Sequence, residues 1–572
     1  MTRPDWLDLC GEWGFAYDDD DLGQDEQWAT RSDGFDRAIV VPFPPESPAS
    51  GINDKYPHRV VWYRRIVQAS AGNTQQRWLI HFGAVDYRAK VWVNGQLVAE
   101  HEGGNSSFSA DITAALRSDS DDQVVVVRAE DDADDLTQPR GKQYWKRDPG
   151  EIWYHRTTGI WQPVWLESVP SAYIAGLRWT TDLQRGRIGL RVELNRKPAK
   201  SLALRVNLAL HGQPFASDEY IVDKLETERE IGFVIPNVDV DRRALYWSPE
   251  NPNLIDADLT LIDRESGASI DSVGSYLGIR STAIGAGNFV LNGRPYYLRT
   301  ALAQGYWPES HLAAPSGEAI RREVELAKEL GLNGLRLHQK VEDPRYLYWC
   351  DRIGLLVWGE MANAYAFSTR AVERFTREWI DVVRRDVSHP SIVAWVPFNE
   401  SWGVPNLERD ATQRHYVEAI YHLTHSIDPT RPVIGNDGWE LFAADIWGIH
   451  DYTLDPEVIR ERYGSADAVA TSLKSVRPYF HALTFPWQER DGQPVMLTEV
   501  GGIDYVEGES FDQEAMPRRA LDLDDFLSRF GALMDAIFDC ETIQGFCYTQ
   551  LCDTQQELCG FLTADRQPKF DP

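Results

Sequence analysis

Apolar and polar residues alternate along most of the first 281 positions, which is the pattern of half-buried β-strands. The segment 77–98, RWLIHFGAVDYRAKVWVNGQLV, contains Asn94-Gly95, a strong hairpin-turn signal. Short strands separated by Asp-, Ser- and Gly-rich loops predict a β-sandwich over residues 1–170. The alternation continues over 171–281, for example in RIGLRVEL, and that length fits one immunoglobulin-like sandwich.

The pattern changes after residue 282, where helical and strand-like segments alternate. Residues 316–330 carry apolar side chains at helical spacing, and Gly331 ends this helix. Further helices are predicted near 344–354, 369–387 and 406–427. Strands are predicted at 295–302, 333–338, 355–361, 391–398, 431–435, 445–452, 494–500 and 543–551. About eight strands interleaved with helices predict a (β/α)8 barrel over 282–572.

Polar residues stand where the predicted barrel strands end, which is where such barrels carry their chemistry. Two of them, Glu400 and Glu499, are carboxylates that a barrel would place on opposite sides of one mouth. Paired carboxylates are what glycoside hydrolysis requires. Alternatively, either glutamate forms only a salt bridge with Arg336 or caps a following helix. The polar residues at the strand ends are Arg336, His338, Glu360, Asn399, Glu400, His450, Asp451, Tyr452, Glu499, Tyr548 and Gln550.

Composition narrows the range of partners. The formal charge of −30 argues against nucleic acid and anionic membranes. No apolar run approaches the roughly 20 residues of a membrane span, and the first residues do not resemble a signal peptide. We therefore expect a cytoplasmic protein without a membrane partner. The six cysteines show no zinc spacing and are expected to be core thiols.

Several motifs together resemble glycoside hydrolase family 2, the β-galactosidase and β-glucuronidase family. They are VPFNESWG (396–403), LTEVGG (497–502), GLNGLRLHQKVEDPRYLYWCDRIGLLVWGE (331–360) and, near the N-terminus, VWVNG, HEGG and TTGIWQPVWLE. The resemblance covers nearly the whole chain. It implies a sugar-binding-type jelly-roll sandwich at 1–170, an immunoglobulin-like sandwich at 171–281 and a catalytic TIM barrel at 282–572.

The resemblance also implies a retaining exo-β-glycosidase and assigns roles. Glu400 corresponds to the general acid/base, which is expected to have a raised pKa, and Glu499 to the ionised nucleophile. Retention requires the two carboxyl groups to be about 5–5.5 Å apart. Asn399 corresponds to the amide that binds the sugar 2-hydroxyl, Arg336 to the arginine that supports the nucleophile, and Tyr452 to the tyrosine beside it. The remaining candidates for substrate binding are His338, Glu360, His450, Asp451, Trp402, Tyr548 and Gln550.

Departures from the family pattern indicate an atypical side branch of the family and leave the identity of the sugar undecided. The Asn-x-Lys element of β-glucuronidases is not found in a matching barrel loop. Glu360 has no nearby His for the magnesium site of β-galactosidases, so no metal and no cofactor are expected. His338 and His450 could instead ligate a metal, but their spacing favours hydrogen bonds to sugar hydroxyls. Tyr548 stands where a strand-eight tryptophan is usual.

The resulting hypothesis is β-galactosidase-type hydrolysis of an oligosaccharide or glycoside. A β-D-galactofuranosidase or α-L-arabinofuranosidase is the alternative, followed by a β-glucuronidase or β-mannosidase. Two further hypotheses are a catalytically silent carbohydrate-binding protein and a transglycosylase. The sequence does not decide whether the protein forms a homo-oligomer. The loop at 138–159, rich in Trp, Tyr and Arg, is predicted to reach over the barrel mouth and restrict attack to a terminal sugar.

Overall fold

The computed structural model describes residues 1–71, 75–508 and 516–571, and they form an N-terminal sandwich, a central sandwich and a barrel. The N-terminal sandwich packs a six-stranded sheet on a four-stranded one, both antiparallel. In sheet order, the six strands are Arg37–Val41, Gly11–Tyr17, Val60–Gln68, Asp122–Glu130, Arg88–Val93 and Gln96–Glu102. The four are Trp6–Asp8, Val164–Pro170, Gln76–Phe82 and Phe108–Asp111, and a small pair joins Val85–Asp86 to Gly159–Ile160.

The central domain is an immunoglobulin-like sandwich of two antiparallel sheets around one apolar core. One sheet contains Ile174–Asp182, Arg187–Leu194 and Glu226–Gly232. The other contains Gln213–Val222, Leu202–Leu210, Ile255–Asp263 and Ser269–Leu277, and a short helix spans Asp239–Leu245. A three-stranded sheet, Thr282–Gly285, Asn288–Leu291 and Arg294–Pro295, leads into the barrel.

The barrel has eight parallel strand positions, as predicted. Seven strands are Leu298–Ala303, Gly334–Leu337, Leu356–Glu360, Ile392–Val396, Trp447–Asp451, Val495–Gly501 and Ile543–Thr549. The helices around them are Gly317–Glu329, Pro344–Ile353, Thr369–Asp386, Ala411–Ile427, Pro456–Tyr463, Ala466–Ser475 and Leu523–Asp539. No helix in the described ranges is long and apolar enough to cross a membrane.

The fifth strand differs from the prediction of 431–435. Within 431–435, Val433 forms a parallel bridge to Trp395 and Ile434 an antiparallel bridge to Ala444. The regular strand is the two-residue Asn436–Asp437, which pairs with Phe398–Asn399. Pro432 has no N–H for a ladder hydrogen bond, which limits pairing at the predicted position. The shift places Asn436–Asp437 beside the end of strand four.

The N-terminal sandwich contacts the barrel through the helix Thr369–Asp386. Arg374 on this helix forms ion pairs with Glu102 (2.9 Å) and Asp135 (2.7 Å) of the sandwich. Glu378, one turn further along, accepts a 2.9 Å hydrogen bond from the backbone N–H of Asn105. These contacts join the N-terminal sandwich to the outer side of the barrel.

Candidate active site

Arg336, at the end of barrel strand two, is the centre of a buried charge cluster. Its guanidinium contacts Glu360 (2.6 Å), Asp437 (2.8 Å) and Glu499 (3.0 Å), and it also donates to the Asn399 side-chain oxygen. Burial alone would lower the pKa of Arg336, but the neighbouring carboxylates, led by Glu360, raise it well above its ordinary value. The cation is therefore permanent, and it orients groups from four strand ends at once.

His450, at the end of strand six, bridges the two glutamates that the sequence singled out. Its Nδ1 lies 2.8 Å from Glu400 Oε1, and its Nε2 lies 3.4 Å from both Glu499 Oε1 and Asp437 Oδ2. One carboxylate oxygen of Glu400, one of Glu499 and a ring nitrogen of His450 all lie within 4.8 Å of one another. The two candidate catalytic carboxylates therefore face each other across a short gap.

The protonation of this group differs from the sequence prediction. Burial alone would lower the pKa of His450, but the charge of Glu499 and hydrogen bonds to two further carboxylates raise it to about 10. Burial alone would raise the pKa of Glu400, but the hydrogen bond and charge of His450 outweigh it and the net pKa is lowered. The expectation of a raised pKa for Glu400 is wrong for the unliganded protein, because the sequence did not reveal an imidazolium at hydrogen-bond distance.

The backbone at Glu400 is unusual. Glu400 and Ser401 have φ of 51° and 59°, in the left-handed region that non-glycine residues rarely adopt. The Glu400 N–H donates to the Asp437 carbonyl at 2.9 Å, and the Ser401 N–H donates to the Asn436 side chain at 3.0 Å. Fifth-strand residues thus hold a turn that directs Glu400 toward His450, and such strain is concentrated at functional sites.

Tyr452 lies beside Glu499, as predicted. Its hydroxyl donates a short hydrogen bond to Glu499 Oε2 and lies 3.2 Å from Thr549 Oγ1. Burial and the charge of Glu499 raise the pKa of Tyr452 well above its ordinary value, so the hydroxyl remains a donor. Glu499 consequently has one oxygen on Arg336 and the other on Tyr452.

A cavity of about 540 Å³ opens over these carboxylates. That volume is within the range of small-molecule sites and accommodates a sugar ring. Both candidate catalytic glutamates, His338, Trp402 and Tyr452 line it. Lys142, Glu151 and Trp153 also line it, and they belong to the loop 138–159 that the sequence predicted over the mouth. The sequence reasoning missed other lining residues, among them Gln304, Trp439, Tyr479, His481, Asp504, Arg518, Gln556 and Glu557.

The loop 138–159, which we call the strap, lies over the barrel mouth as predicted. The N–H groups of Arg140 and Gly141 both donate to the Asn363 carbonyl at 3.1 Å. The Gln556 side chain donates to the Trp153 carbonyl at 2.9 Å. The Trp153 ring packs edge-on against Trp402 at 5.6 Å and against Tyr365 at 5.7 Å. The strap therefore forms one wall of the cavity.

The remaining predicted residues occupy different positions. Glu360 and Asn399 are buried around Arg336, and the Nδ1 of His338 lies 3.1 Å from Glu360. Gln550 is fully buried and accepts a 2.8 Å hydrogen bond from Gln304, which lines the cavity.

Two predicted substrate-binding residues point elsewhere. Asp451 contacts Arg462 (2.7 Å) and the Tyr463 hydroxyl (2.8 Å). Tyr548 is completely buried and stacks on Phe561 at 4.3 Å. Neither lines the cavity, because side chains alternate across a strand and these two face the helices rather than the mouth.

One cluster at the barrel mouth carries donor atoms that could hold a metal ion. Within the described ranges, Glu400, His450 and Glu499 are the group of His, Cys and acidic residues whose ligand atoms could surround an ion. A pKa of about 10 makes His450 an imidazolium at neutral pH, and only the neutral ring ligates a metal. Binding of an ion by this group would therefore require His450 to lose its proton.

Three family models match the chain in sequence order. "Glycosyl hydrolases family 2, sugar binding domain" matches residues 7–170, "Glycosyl hydrolases family 2" matches 172–280, and "Glycosyl hydrolases family 2, TIM barrel domain" matches 282–513. Together they follow the three domains described above.

Curated relatives are distant in sequence. A β-galactosidase from Thermoanaerobacter pseudethanolicus is 25% identical over 399 residues, covering 67% of this chain and 50% of that protein. A β-glucuronidase from Rattus norvegicus is 26% identical over 407 residues, covering 65% and 58%. The chain spans about half the length of the curated relatives it matches first. A Bacteroides uniformis β-glucuronidase crystal structure superposes with a TM-score of 0.77 at 19% identity, covering 99% of this chain and 68% of that one, and it supports the fold.

Proposed function

Because this chain belongs to glycoside hydrolase family 2, we propose that it is a retaining exo-glycosidase acting through a covalent glycosyl-enzyme. The observation that carries the proposal is the pair Glu400 and Glu499, which face one cavity with oxygens within 4.8 Å of each other. Retaining enzymes hold their carboxyl groups about 5–5.5 Å apart, whereas inverting ones leave about 6.5–9.5 Å for a water molecule. The short gap therefore favours retention.

In the proposed first step, a Glu499 oxygen attacks the anomeric carbon while the bond to the leaving oxygen breaks. Arg336 and Tyr452 orient Glu499 for the attack. Glu400 gives a proton to the leaving oxygen. Because Glu400 and His450 share a hydrogen bond, the imidazolium form of His450 stores the proton that Glu400 delivers. In the second step Glu400 takes a proton from water, and the water oxygen replaces Glu499 at the anomeric carbon.

We propose that the preferred substrate is a β-galactoside. The strap walls the cavity, which supports attack on a terminal sugar only. The Glu557 carboxylate in this cavity favours neutral hydroxyl groups over an anionic sugar. A β-glucuronide is the second candidate, because relatives bear that name and two cations, Lys142 and Arg518, line the same cavity. Furanosides are less well supported, since no relative reported above bears such a name.

The test is nitrophenol release from β-D-galactopyranoside, β-D-glucuronide, β-D-galactofuranoside, α-L-arabinofuranoside and β-D-mannoside. Wild type is compared with Glu400→Gln, Glu499→Gln and the exposed control Glu408→Gln. We expect Glu499→Gln to lose all activity. Glu400→Gln should lose about 10²- to 10⁴-fold on poor leaving groups but much less on dinitrophenyl glycosides, which need no protonation.

Two results would contradict the proposal. If Glu499→Gln retains wild-type rates, the nucleophile is assigned incorrectly. If the folded wild type cleaves none of the glycosides but binds sugars, the protein is a silent carbohydrate-binding protein. Product analysis with an added acceptor sugar separates hydrolysis from transglycosylation, and NMR of the first-formed anomer tests retention.

A further inference from the structure

Lys142, on the strap of the N-terminal domain, is a buried cation without a fixed partner. Its side chain lines the cavity, and the residue is only 7% exposed. Its ammonium makes no hydrogen bond and no ion pair with any residue in the described ranges, and it lies 5.7 Å from the centre of the Tyr154 ring. The side chain is buried but its ammonium opens into the cavity, so it is available to a ligand that the cavity receives.

The strap backbone holds Lys142 at this place. Gly141 has φ of +59°, and a Cβ there would lie 2.1 Å from the Gln339 carbonyl, so only glycine permits this approach to the barrel. On the other side, Gln143 donates to Asp86 at 2.9 Å and accepts from the Thr157 N–H at 2.7 Å. Lys142 is thus presented by a fixed segment.

Glu557 is the acidic counterpart on the barrel side of the same cavity. It follows the last barrel strand, lines the cavity, and accepts a short hydrogen bond from the Tyr154 hydroxyl of the strap. Burial raises its pKa, and the charge of Lys142 partly opposes that effect. Glu400 lines the same cavity, so the ammonium faces the proposed glycone position as well as Glu557.

We propose that Lys142 and Glu557 together bind one hydroxyl-bearing edge of the terminal sugar. A hydroxyl group can accept a hydrogen bond from the ammonium and donate its own proton to the carboxylate, which satisfies both residues. A uronate carboxylate would satisfy Lys142 but would be repelled by Glu557. The pair therefore selects a neutral glycone, and the N-terminal domain supplies part of the glycone subsite. This inference rests on the proposed function.

The first experiment compares Lys142→Met, Lys142→Arg and the control Lys146→Met, which changes an exposed lysine on the same strap. Substrates are the nitrophenyl glycoside that wild type cleaves best and its 3-, 4- and 6-deoxy analogues. We expect Lys142→Met to lower kcat/KM about tenfold or more on the parent sugar. On the analogue that lacks the contacted hydroxyl, the loss should nearly disappear. Lys142→Arg should rescue part of the activity, and Lys146→Met should match wild type.

The second experiment applies Glu557→Gln to the same analogues and to the glucuronide. The inference predicts sensitivity to the same deoxy position and a rise in the ratio of glucuronide to parent cleavage. Lys142 does not bind a sugar hydroxyl if Lys142→Met cleaves every substrate like wild type. The same conclusion follows if its kcat/KM falls by the same factor on the parent glycoside and on all deoxy analogues. A wild type that prefers the glucuronide also overturns the neutral-sugar assignment.

Failure of the proposed function is distinguishable from failure of this inference. If wild type cleaves no glycoside, sugar binding is followed by intrinsic tryptophan fluorescence with free galactose and its deoxy forms. Weaker binding by Lys142→Met, confined to sugars that carry the contacted hydroxyl, then supports the inference without catalysis. Unchanged binding, or no binding by wild type, overturns it.

Discussion

At the scale of single residues, His450 determines where the catalytic proton resides. In the unliganded protein the imidazolium lies 2.8 Å from Glu400, and its pKa is raised to about 10 by the surrounding carboxylates. The Glu400–His450 pair therefore keeps one transferable proton until the pH approaches that value. A single carboxylic acid in the same place would lose its proton at much lower pH.

We therefore expect His450→Asn to move the alkaline limb of the kcat/KM profile to lower pH. The measurement is the pH dependence of kcat/KM between pH 4 and 10. Removing the imidazolium also raises the pKa of Glu400, since His450 is what lowers it. Glu400 alone is nevertheless expected to lose its proton at a lower pH than the Glu400–His450 pair does. The matched control is His425→Asn, whose ring contacts Asp445 at 2.9 Å outside the cavity. An unchanged alkaline limb would show that another group holds the proton.

At the scale of elements, the strap has to approach the barrel closely for the cavity to have a wall. We expect Gly141→Ala to reduce kcat/KM by about 10- to 100-fold, since a displacement of about 1 Å can cost that much. A Cβ at this left-handed position would lie 2.1 Å from the Gln339 carbonyl. Gly150→Ala, on the same strap, is the control, because its Cβ meets only the Tyr144 ring at 3.6 Å. The measurement is kcat/KM of both variants. Equal values for Gly141→Ala and Gly150→Ala would show that the close packing of Gly141 against the Gln339 carbonyl is not required for activity.

The secondary-structure elements also explain which site residues can be predicted from the sequence. Glu400, Glu499 and Arg336 follow apolar strands, and parallel strands end at one edge, so their meeting at the mouth was predictable. Asp437 was missed because its strand has only two residues, and NDG resembles a turn. The link between Tyr154 and Glu557 spans 403 positions between two loops, and no local pattern records such a contact.

At the scale of the whole molecule, a buried acid couples the sandwich–barrel junction to pH. Glu378 accepts two hydrogen bonds from Asn105, and its other oxygen has no hydrogen-bond partner among the described residues. Burial raises the pKa of Glu378 to about 7 from its ordinary 4.5. Between these values the folded state binds more protons at Glu378 than the unfolded state does. The contribution of Glu378 to the free energy of unfolding is therefore complete below pH 4.5 and is lost as the pH rises to about 7. The shift corresponds to about 3 kcal/mol.

We expect Glu378→Gln, which mimics the protonated acid, to stabilise the protein at pH 8 by about 1–3 kcal/mol and to leave stability at pH 4.5 nearly unchanged. Urea unfolding at both pH values measures this difference, with the exposed Glu373→Gln on the same helix as control. Part of the pH dependence should remain, because burial also raises the pKa of Glu46, in the N-terminal sandwich, to about 7. If Glu378→Gln is no more stable than wild type at pH 8, the carboxylate is paired by water or by relaxation of the junction.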